Sequence, residues 1–480
     1  MQTKLSENYE ADYLVIGAGA SGLAFVDTLM SESDATIIIV DNRHKPGGHW
    51  VDAYSFVTLH QPSSFYGVNS KELSNGKIDH TGLNQGLNEL ATGAEVQAYY
   101  DNVMRDTLLP SGRVQYFPLC EYLGEGRVKH LITGLEFTVQ YKSKLVDSTY
   151  YKTGIPATHQ PQFEVDPGLT MIPPNALPNT LNKIEHGFKH FTVLGGGKTA
   201  IDTCLWLLQN QVEPENISWY MPRDAWFMDR KNTQPTANFF ADTIGAQALQ
   251  LEAIAESTSI ADMLLRLEKA GVFLRLDPDV LPQMFHGATI SKAELAQIKR
   301  IKHIIRKGRV IKLSATEIVC TQGTEVPGAQ SLYIDCTASA ITNLAVEPVF
   351  QGDTIKLQMV RAYQPTFSAA VIAHIEITYP DNDKKNQLSK VVPLPNKVED
   401  WIEMTYRNMM NQFFWSKEPG LKDWILNQRL DGFSKLVGGV RFYQFDKLKI
   451  LNRMRKAAKP AVAKLKTYRE LVTSSSAANK

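Results

Sequence analysis

With 480 residues, the chain exceeds what one ordinary core fills and is expected to divide into two or three domains. Hydrophobic residues make up 43% and charged residues 21%, a globular balance rather than that of a disordered chain. The formal net charge of +1 supplies no overall attraction for polyanions, so no nucleic-acid partner is expected.

Residues 1–11 are polar and partly acidic, without the basic and then apolar stretches of a secretory signal, and a cytoplasmic location is expected. No apolar run approaches the roughly 18 residues that a spanning helix needs, so no integral membrane association is expected. Residues 13–16 form a short apolar run, read as a buried parallel strand. Gly17, Gly19 and Gly22 follow as G-x-G-x-x-G, with Ser21 inside the turn. Residues 23–30 continue with helical character, 31–34 break the helix, and 36–40 form a second apolar strand ending in Asp41. This is a complete βαβ fingerprint for a dinucleotide, within about 30 residues.

A Pro- and Asn-rich stretch at 173–179 reads as a linker between domains. The pattern then recurs: residues 191–194 are a strand, Gly195-Gly196-Gly197-Lys198-Thr199-Ala200 the turn, 201–209 a helix and 217–221 the next strand. Residues 246–270 and 291–307 carry helical periodicity, and 308–320 read as strands with a turn. Residues 332–338 are a strand running into a small-residue turn, after which the chain is expected to return to its first domain. Cys120, Cys204, Cys320 and Cys336 lie far apart without a C-x-x-C, which argues against a redox-active disulfide. No His, Cys and carboxylate cluster has metal-ligand spacing, and no metal is expected.

Each residue of the first turn has a physical task. Gly17 allows the tight turn, Gly19 lets backbone approach a pyrophosphate, and Gly22 permits close packing of helix on strand. The helix N-terminus faces the phosphate charge. Asp41 stands where a carboxylate accepts hydrogen bonds from a ribose, the alternative being a solvated acid at a strand end. In the second turn Gly195 and Gly197 precede Ala200, still small enough for the third position, and Thr199. Lys198 is read either as a phosphate contact or as a solvated lysine. Arg223, with Arg230 a little further on, follows the second strand where an acid would otherwise select a plain ribose, which favours NADPH over NADH. Asp224 beside it weakens that preference.

Residues 12–23, Val40-Asp41 and then Pro46-Gly47-Gly48-His49-Trp50 resemble the FAD half of the class B flavoprotein monooxygenases, which include flavin-containing, Baeyer–Villiger and N-hydroxylating enzymes. The resemblance implies FAD at the first turn, with Gly48, His49 and Trp50 running close to the flavin. It also implies an inserted NADPH domain and a cofactor-side turn at Asp335 to Ala338. The implied fold is α/β with two Rossmann-like dinucleotide-binding domains, the NAD(P)H domain inserted into the FAD domain. The divisions are residues 1–178 and 329–434 for the FAD domain, 179–328 for the inserted domain, and 435–480 for a basic C-terminal segment. One departure stands out: the identifying sequence F-x-G-x-x-x-H is absent from residues 181–191, which hold His186 and His190 without the pattern.

The implied reaction is reduction of FAD by NADPH, formation of a flavin C4a-peroxide with molecular oxygen, and oxygenation of a small organic substrate. His60 and Gln61, in the loop-rich stretch 50–67, are candidate catalytic groups that could hydrogen-bond near the flavin and move protons. The bland reading is that they satisfy loop backbone. Trp50 has a core-packing alternative. Arg361, Ser368 and Glu376 are read as pocket-lining residues or as an ordinary ion pair. The departure keeps open an NAD(P)H-dependent reductase or oxidase that releases hydrogen peroxide, and a nucleotide-binding redox sensor. Residues 435–469 hold eleven Lys or Arg and one acid, Asp446. They are read as a solvated helical face packed through Leu448, Leu451, Met454 and Leu465, in preference to a membrane-surface contact, because Pro460 interrupts the pattern.

Overall fold

The computed structural model describes residues 8–181, 187–343 and 345–478. Its first sheet is built on the apolar run expected to open the chain. Asn8–Ile16 pairs in parallel with Ile37–Val40 on one side and Glu136–Asp147 on the other. Val114–Phe117 extends the sheet beyond Ile37–Val40, and Thr354–Lys356 extends it beyond Glu136–Asp147, both in parallel. Val15, Ile39 and Val40 have no exposed surface, as strands covered on both faces require. An antiparallel pair, Cys120–Gly124 and Arg127–His130, continues from the edge of Glu136–Asp147.

The helix Ala20–Glu32 covers one face, and Pro365–Thr378 packs with it in the largest hydrophobic cluster. The chain therefore leaves the first sheet after Asp147 and rejoins it near Thr354. Between these points lies a second, all-parallel sheet ordered Ile304–Ile305, Ile217–Tyr220, His190–Leu194, Ser331–Asp335, Met171–Ile172. Two of its strands fall outside the expected 179–328 span: Met171–Ile172, at one edge, precedes it, and Ser331–Asp335, beside that edge, follows it. The helix Lys198–Gln209 packs on this sheet through Ala200, Ile201 and Cys204. The fold is α/β with two Rossmann-like units, one interrupting the other.

Two periodic stretches resolve differently from expectation. Residues 246–270 are not one helix but parts of Phe240–Glu256 and Ile260–Lys269, divided where Ser259 caps the second helix by accepting from the Asp262 amide. Residues 291–307 hold only the short helix Lys292–Ile298, after which Ile304–Ile305 joins the edge of the second sheet. A third cluster forms around Trp226, Phe273, Phe285 and Trp401, and includes Leu465 and Tyr468 from the C-terminal helix. That helix, Phe445–Ala478, runs through Pro460 without a break. Pro460 is exposed, so the position that its ring leaves unbonded faces water. Of the anticipated packing residues Leu465 is fully buried, Leu451 and Met454 are half-buried, and Leu448 is exposed.

Candidate functional site

The first glycine turn sits at the carboxyl end of Asn8–Ile16 and leads into Ala20–Glu32, whose N-cap is Gly19. No side chain caps this helix and no acid lies in its first turn, so its free amides and positive dipole end are open to an anion. Gly22 is obligatory here: a Cβ would meet the Gly17 carbonyl oxygen at 2.2 Å. Ser21 is half-buried in the first turn of the helix. Gly48 lies against the turn, since a Cβ on it would approach the Gly19 Cα to 2.9 Å. The Gly-Gly-His-Trp stretch thus abuts the backbone of the first glycine turn.

Asp41 is buried beyond the end of Ile37–Val40, and burial pushes its pKa upward. Its carboxylate accepts from the Ala18 amide at 2.6 Å and from the Arg43 amide at 2.7 Å. It therefore shapes the glycine turn directly and is not a solvated strand-end acid. His49 is half-buried, and desolvation together with the Arg43 charge pushes its pKa down to about 4. Trp50 is built into the core, with its indole N–H donating to the Tyr66 hydroxyl at 2.8 Å.

The second turn repeats the arrangement. Gly195, at φ +123°, faces the Cys336 carbonyl, which a Cβ would meet at 2.5 Å. Gly197 caps Lys198–Gln209 without a side-chain cap or a first-turn acid, and a Cβ on it would point into open space. Both turns thus offer what a dinucleotide pyrophosphate needs: unclaimed amides, and at Gly197 room beside them. Ala200 is fully buried in the third position, as close packing of helix on sheet requires. Lys198 is not a solvated lysine, because its ammonium is enclosed and pairs with Asp202 one helical turn on. Arg223 is exposed, and its carbonyl lies 3.4 Å from where a Gly196 Cβ would stand. Asp224 turns inward, where Arg306 grips both carboxylate oxygens at 2.6 and 3.1 Å. Asp335 also bonds locally, accepting from the Thr337 amide and hydroxyl at 2.9 and 2.6 Å. It shapes the strand-end turn that carries the Cys336 carbonyl to Gly195.

The loop after Trp50 joins the two turns. The Tyr54 hydroxyl donates to Asp202 at 2.7 Å, so Asp202 is shared between Tyr54 and Lys198. Arg230 is 1% exposed and pairs with Glu294 at 2.8 Å. Its Nε donates to the His60 carbonyl at 2.9 Å. His60 is half-buried, and burial followed by the nearby Lys198 and Arg230 charges drives its pKa well below the ordinary histidine value. Gln61 beside it is half-buried. Arg429, from the far end of the chain, donates to the carbonyls of Tyr66 and Lys71, each at 3.1 Å, and also to Ser64 and Val68.

The structure therefore brings Gly19, Gly48, His49, His60, Lys198 and Asp202 into one region bridged by a single loop. Tyr54, Asp202, Arg230, Glu294 and Arg429 belong to its framework; of these, sequence reasoning names Arg230 as a second Arg for a 2′-phosphate, and the structure buries it against Glu294. Only Arg230 and Glu294 carried a signal: an Arg soon after the second strand, and a Ser291-x-x-Glu294 capping box. Arg361, Ser368 and Glu376 have structural partners. Arg361 lies 3.5 Å from Asp431, Ser368 donates to the Gln364 carbonyl, and Glu376 pairs with Lys385 at 2.5 Å. His190 bonds to Ser218 within the second sheet, while His186 lies outside the described residues.

Among proteins of known sequence, the chain is 44% identical over 432 residues to uncharacterized protein Rv2000 of Mycobacterium tuberculosis, covering 90% of this chain and 79% of the relative. Uncharacterized protein Mb2023 of Mycobacterium bovis matches to the same extent. No family model matches. Similar solved structures include a mutant flavin monooxygenase from Stenotrophomonas maltophilia, 13% identical, covering 78% of this chain and all of that one, with a TM-score of 0.43. A cyclohexanone-bound cyclohexanone monooxygenase is 12% identical over 79% of this chain and 87% of its own, at a TM-score of 0.49. The polycyclic ketone monooxygenase of Thermothelomyces thermophila is 11% identical over 98% and 89%, at 0.46.

Proposed function

This chain belongs to the protein family that includes Rv2000 of Mycobacterium tuberculosis, and we propose that it is an FAD-dependent monooxygenase reduced by NADPH. The observation that carries the proposal is the pair of uncapped glycine turns, each at the carboxyl end of a parallel strand, bridged by the loop through Tyr54 and His60. Two dinucleotide sites so joined are suited to passing a hydride between their ligands. FAD belongs to the first turn, whose Gly48-His49-Trp50 neighbour carries the family resemblance, and NADPH to the second. The two parts of the FAD domain and the inserted coenzyme domain divide the chain accordingly.

Bound FAD would supply two-electron chemistry and the activation of dioxygen. The residues of the chain do the rest. Helix amides at Gly19 and Gly197 hold pyrophosphate, and Asp41 keeps lone pairs for a ribose hydroxyl. Arg223, exposed at the second turn with Asp224 drawn away by Arg306, is placed for a 2′-phosphate. His49 and His60 stay neutral at neutral pH and can each donate or accept a hydrogen bond. Arg230 anchors the His60 backbone, and Trp50 with Tyr66 excludes water on the core side. Gln61 stands beside His60 as a second hydrogen-bonding group. The substrate is a small organic molecule oxygenated at sulfur, nitrogen or a carbonyl carbon.

The test is anaerobic mixing with NADPH, followed by aerobic turnover on a panel of sulfides, amines and ketones. Bleaching of bound flavin, with hydrogen peroxide well below the NADPH consumed for an accepted substrate, is the expected result. Hydrogen peroxide equal to NADPH with every compound would replace this reading with an oxidase. Flavin that NADPH cannot bleach would leave nucleotide binding without turnover.

A further inference from the structure

The C-terminal helix Phe445–Ala478 shows two faces of different chemistry. Its inner face buries Ala457, and it places Ala461, Leu465 and Tyr468 in the cluster shared with Trp401 and Phe273. Two of its arginines are committed to acids on neighbouring helices, Arg453 to Glu252 at 2.5 Å and Arg469 to Glu403. Its outer face carries Lys449, Arg455, Lys456, Lys459 and Lys466. All five are exposed, and none pairs with an acid among the described residues. At about 100° per residue, these five project from one side of the helix.

Immediately before and within its first turn lies an aromatic cluster. Phe442 is 85% exposed, Tyr443 62% and Phe445 76%, with the exposed Leu448 and Arg441 beside them. Large apolar side chains exposed together, next to unpaired cations, mark a surface that awaits a partner. The chain as a whole carries a formal charge of only +1, yet residues 435–469 hold eleven Lys or Arg against Asp446. The rest of the molecule is therefore net negative, and positive charge is concentrated on this one element. The Pro460 objection to a membrane contact is removed, since the helix continues through that residue.

We propose that this face docks on the surface of an anionic lipid bilayer, with Phe442, Tyr443 and Phe445 entering the headgroup boundary. Each Lys or Arg near an anionic leaflet adds to the attraction, and aromatic side chains favour the interface. A second copy of the chain is a poorer occupant, because it would set like charges against each other. Single-stranded nucleic acid favours a groove lined by stacking aromatics. Phe442 and Phe445 stand exposed instead of lining one.

The experiment is co-sedimentation of the full chain with vesicles of phosphatidylcholine alone, or mixed with phosphatidylglycerol, at low and high salt. Binding to the anionic vesicles alone, weakened by salt, is expected. Reversal of four charges together (Arg455→Glu, Lys456→Glu, Lys459→Glu, Lys466→Glu) should lower vesicle affinity at least about tenfold at low salt. Phe442→Ser with Phe445→Ser should leave some low-salt attraction but make binding far more salt-sensitive. Unchanged melting temperatures would show that these exposed substitutions leave the fold intact. Equal binding to both vesicles, binding untouched by charge reversal, or preferential capture of an oligonucleotide would overturn the proposal. So would a dimer in solution that the Phe substitutions dissociate.

Discussion

Asp224 and Arg223 are neighbours in sequence and opposites in placement. Arg306 holds the Asp224 carboxylate inside, which removes the negative charge that would repel a 2′-phosphate and leaves Arg223 at the surface beside the glycine turn. Arg223→Ala should therefore weaken NADPH binding by about tenfold to a hundredfold, the range for a hydrogen bond between charged groups, and barely affect NADH. Titration of both coenzymes into the oxidised protein checks this, and equal losses would refute the assignment. His49 and His60 make a second prediction. Burial holds His49 down to about 4 and His60 well below the ordinary value, whereas a histidine in the unfolded chain titrates near 6.5. Below about pH 6.5 the unfolded chain binds protons that the folded chain refuses, so stability is lost as pH falls through this window. Melting temperature should drop between about pH 7.5 and about pH 5, and His60→Gln should flatten the drop. A slope that stays the same in His60→Gln would show that His60 does not carry it.

Different positions of the glycine turns respond differently to one methyl group: the third of the first turn, Gly22, and the second of the second turn, Gly197. At Gly22 a Cβ would strike the Gly17 carbonyl, so Gly22→Ala forces helix and strand apart, at a cost of about 1–3 kcal/mol and with loss of bound flavin. At Gly197 nothing lies within 4 Å of the added atom, so Gly197→Ala should melt like the parent while binding nicotinamide coenzyme more weakly. Melting curves and the flavin-to-protein absorbance ratio separate the two outcomes. These turns were legible because a βαβ unit is local: strand, turn and helix follow one another, and the apolar pattern states their order. Longer helices were less legible. In residues 291–307 the isoleucines at 298, 301, 304 and 305 mimic helical spacing. Pairing of Ile304–Ile305 with Ile217–Tyr220 nevertheless makes the last two a sheet edge, as tertiary contact overrides local pattern. The framework of the site was illegible for a similar reason. Tyr54 meets Asp202 across 148 residues, and Arg429 reaches Tyr66 across 363, distances at which spacing carries no information.

Across the whole molecule, the two Rossmann-like units are joined by buried polar contacts with different consequences. Arg230 is wholly enclosed, holding Glu294 and the His60 carbonyl at once. Arg230→Met would leave a buried carboxylate unpaired and should cost about 3–5 kcal/mol, read as a lower denaturant midpoint. Its main effect is on stability. The Tyr54 hydroxyl is the contrasting case. Its ring lies against Phe56, with centroids 4.7 Å apart, and Phe56 in turn meets Trp206 on the helix of the second turn. Tyr54→Phe keeps this apolar bridge and removes the hydroxyl's bonds to the Thr199 side chain and to Asp202, which retains Lys198 as its partner. The units then stay packed, while the loop between the two turns loses the bond that fixes its register on the helix Lys198–Gln209. Because hydride transfer depends steeply on the alignment of donor and acceptor, flavin reduction by NADPH should slow by about tenfold or more, while the melting temperature shifts only slightly. Stopped-flow reduction beside a thermal melt measures both. An unchanged reduction rate would mean that the Tyr54–Asp202 contact holds the units together without setting their alignment.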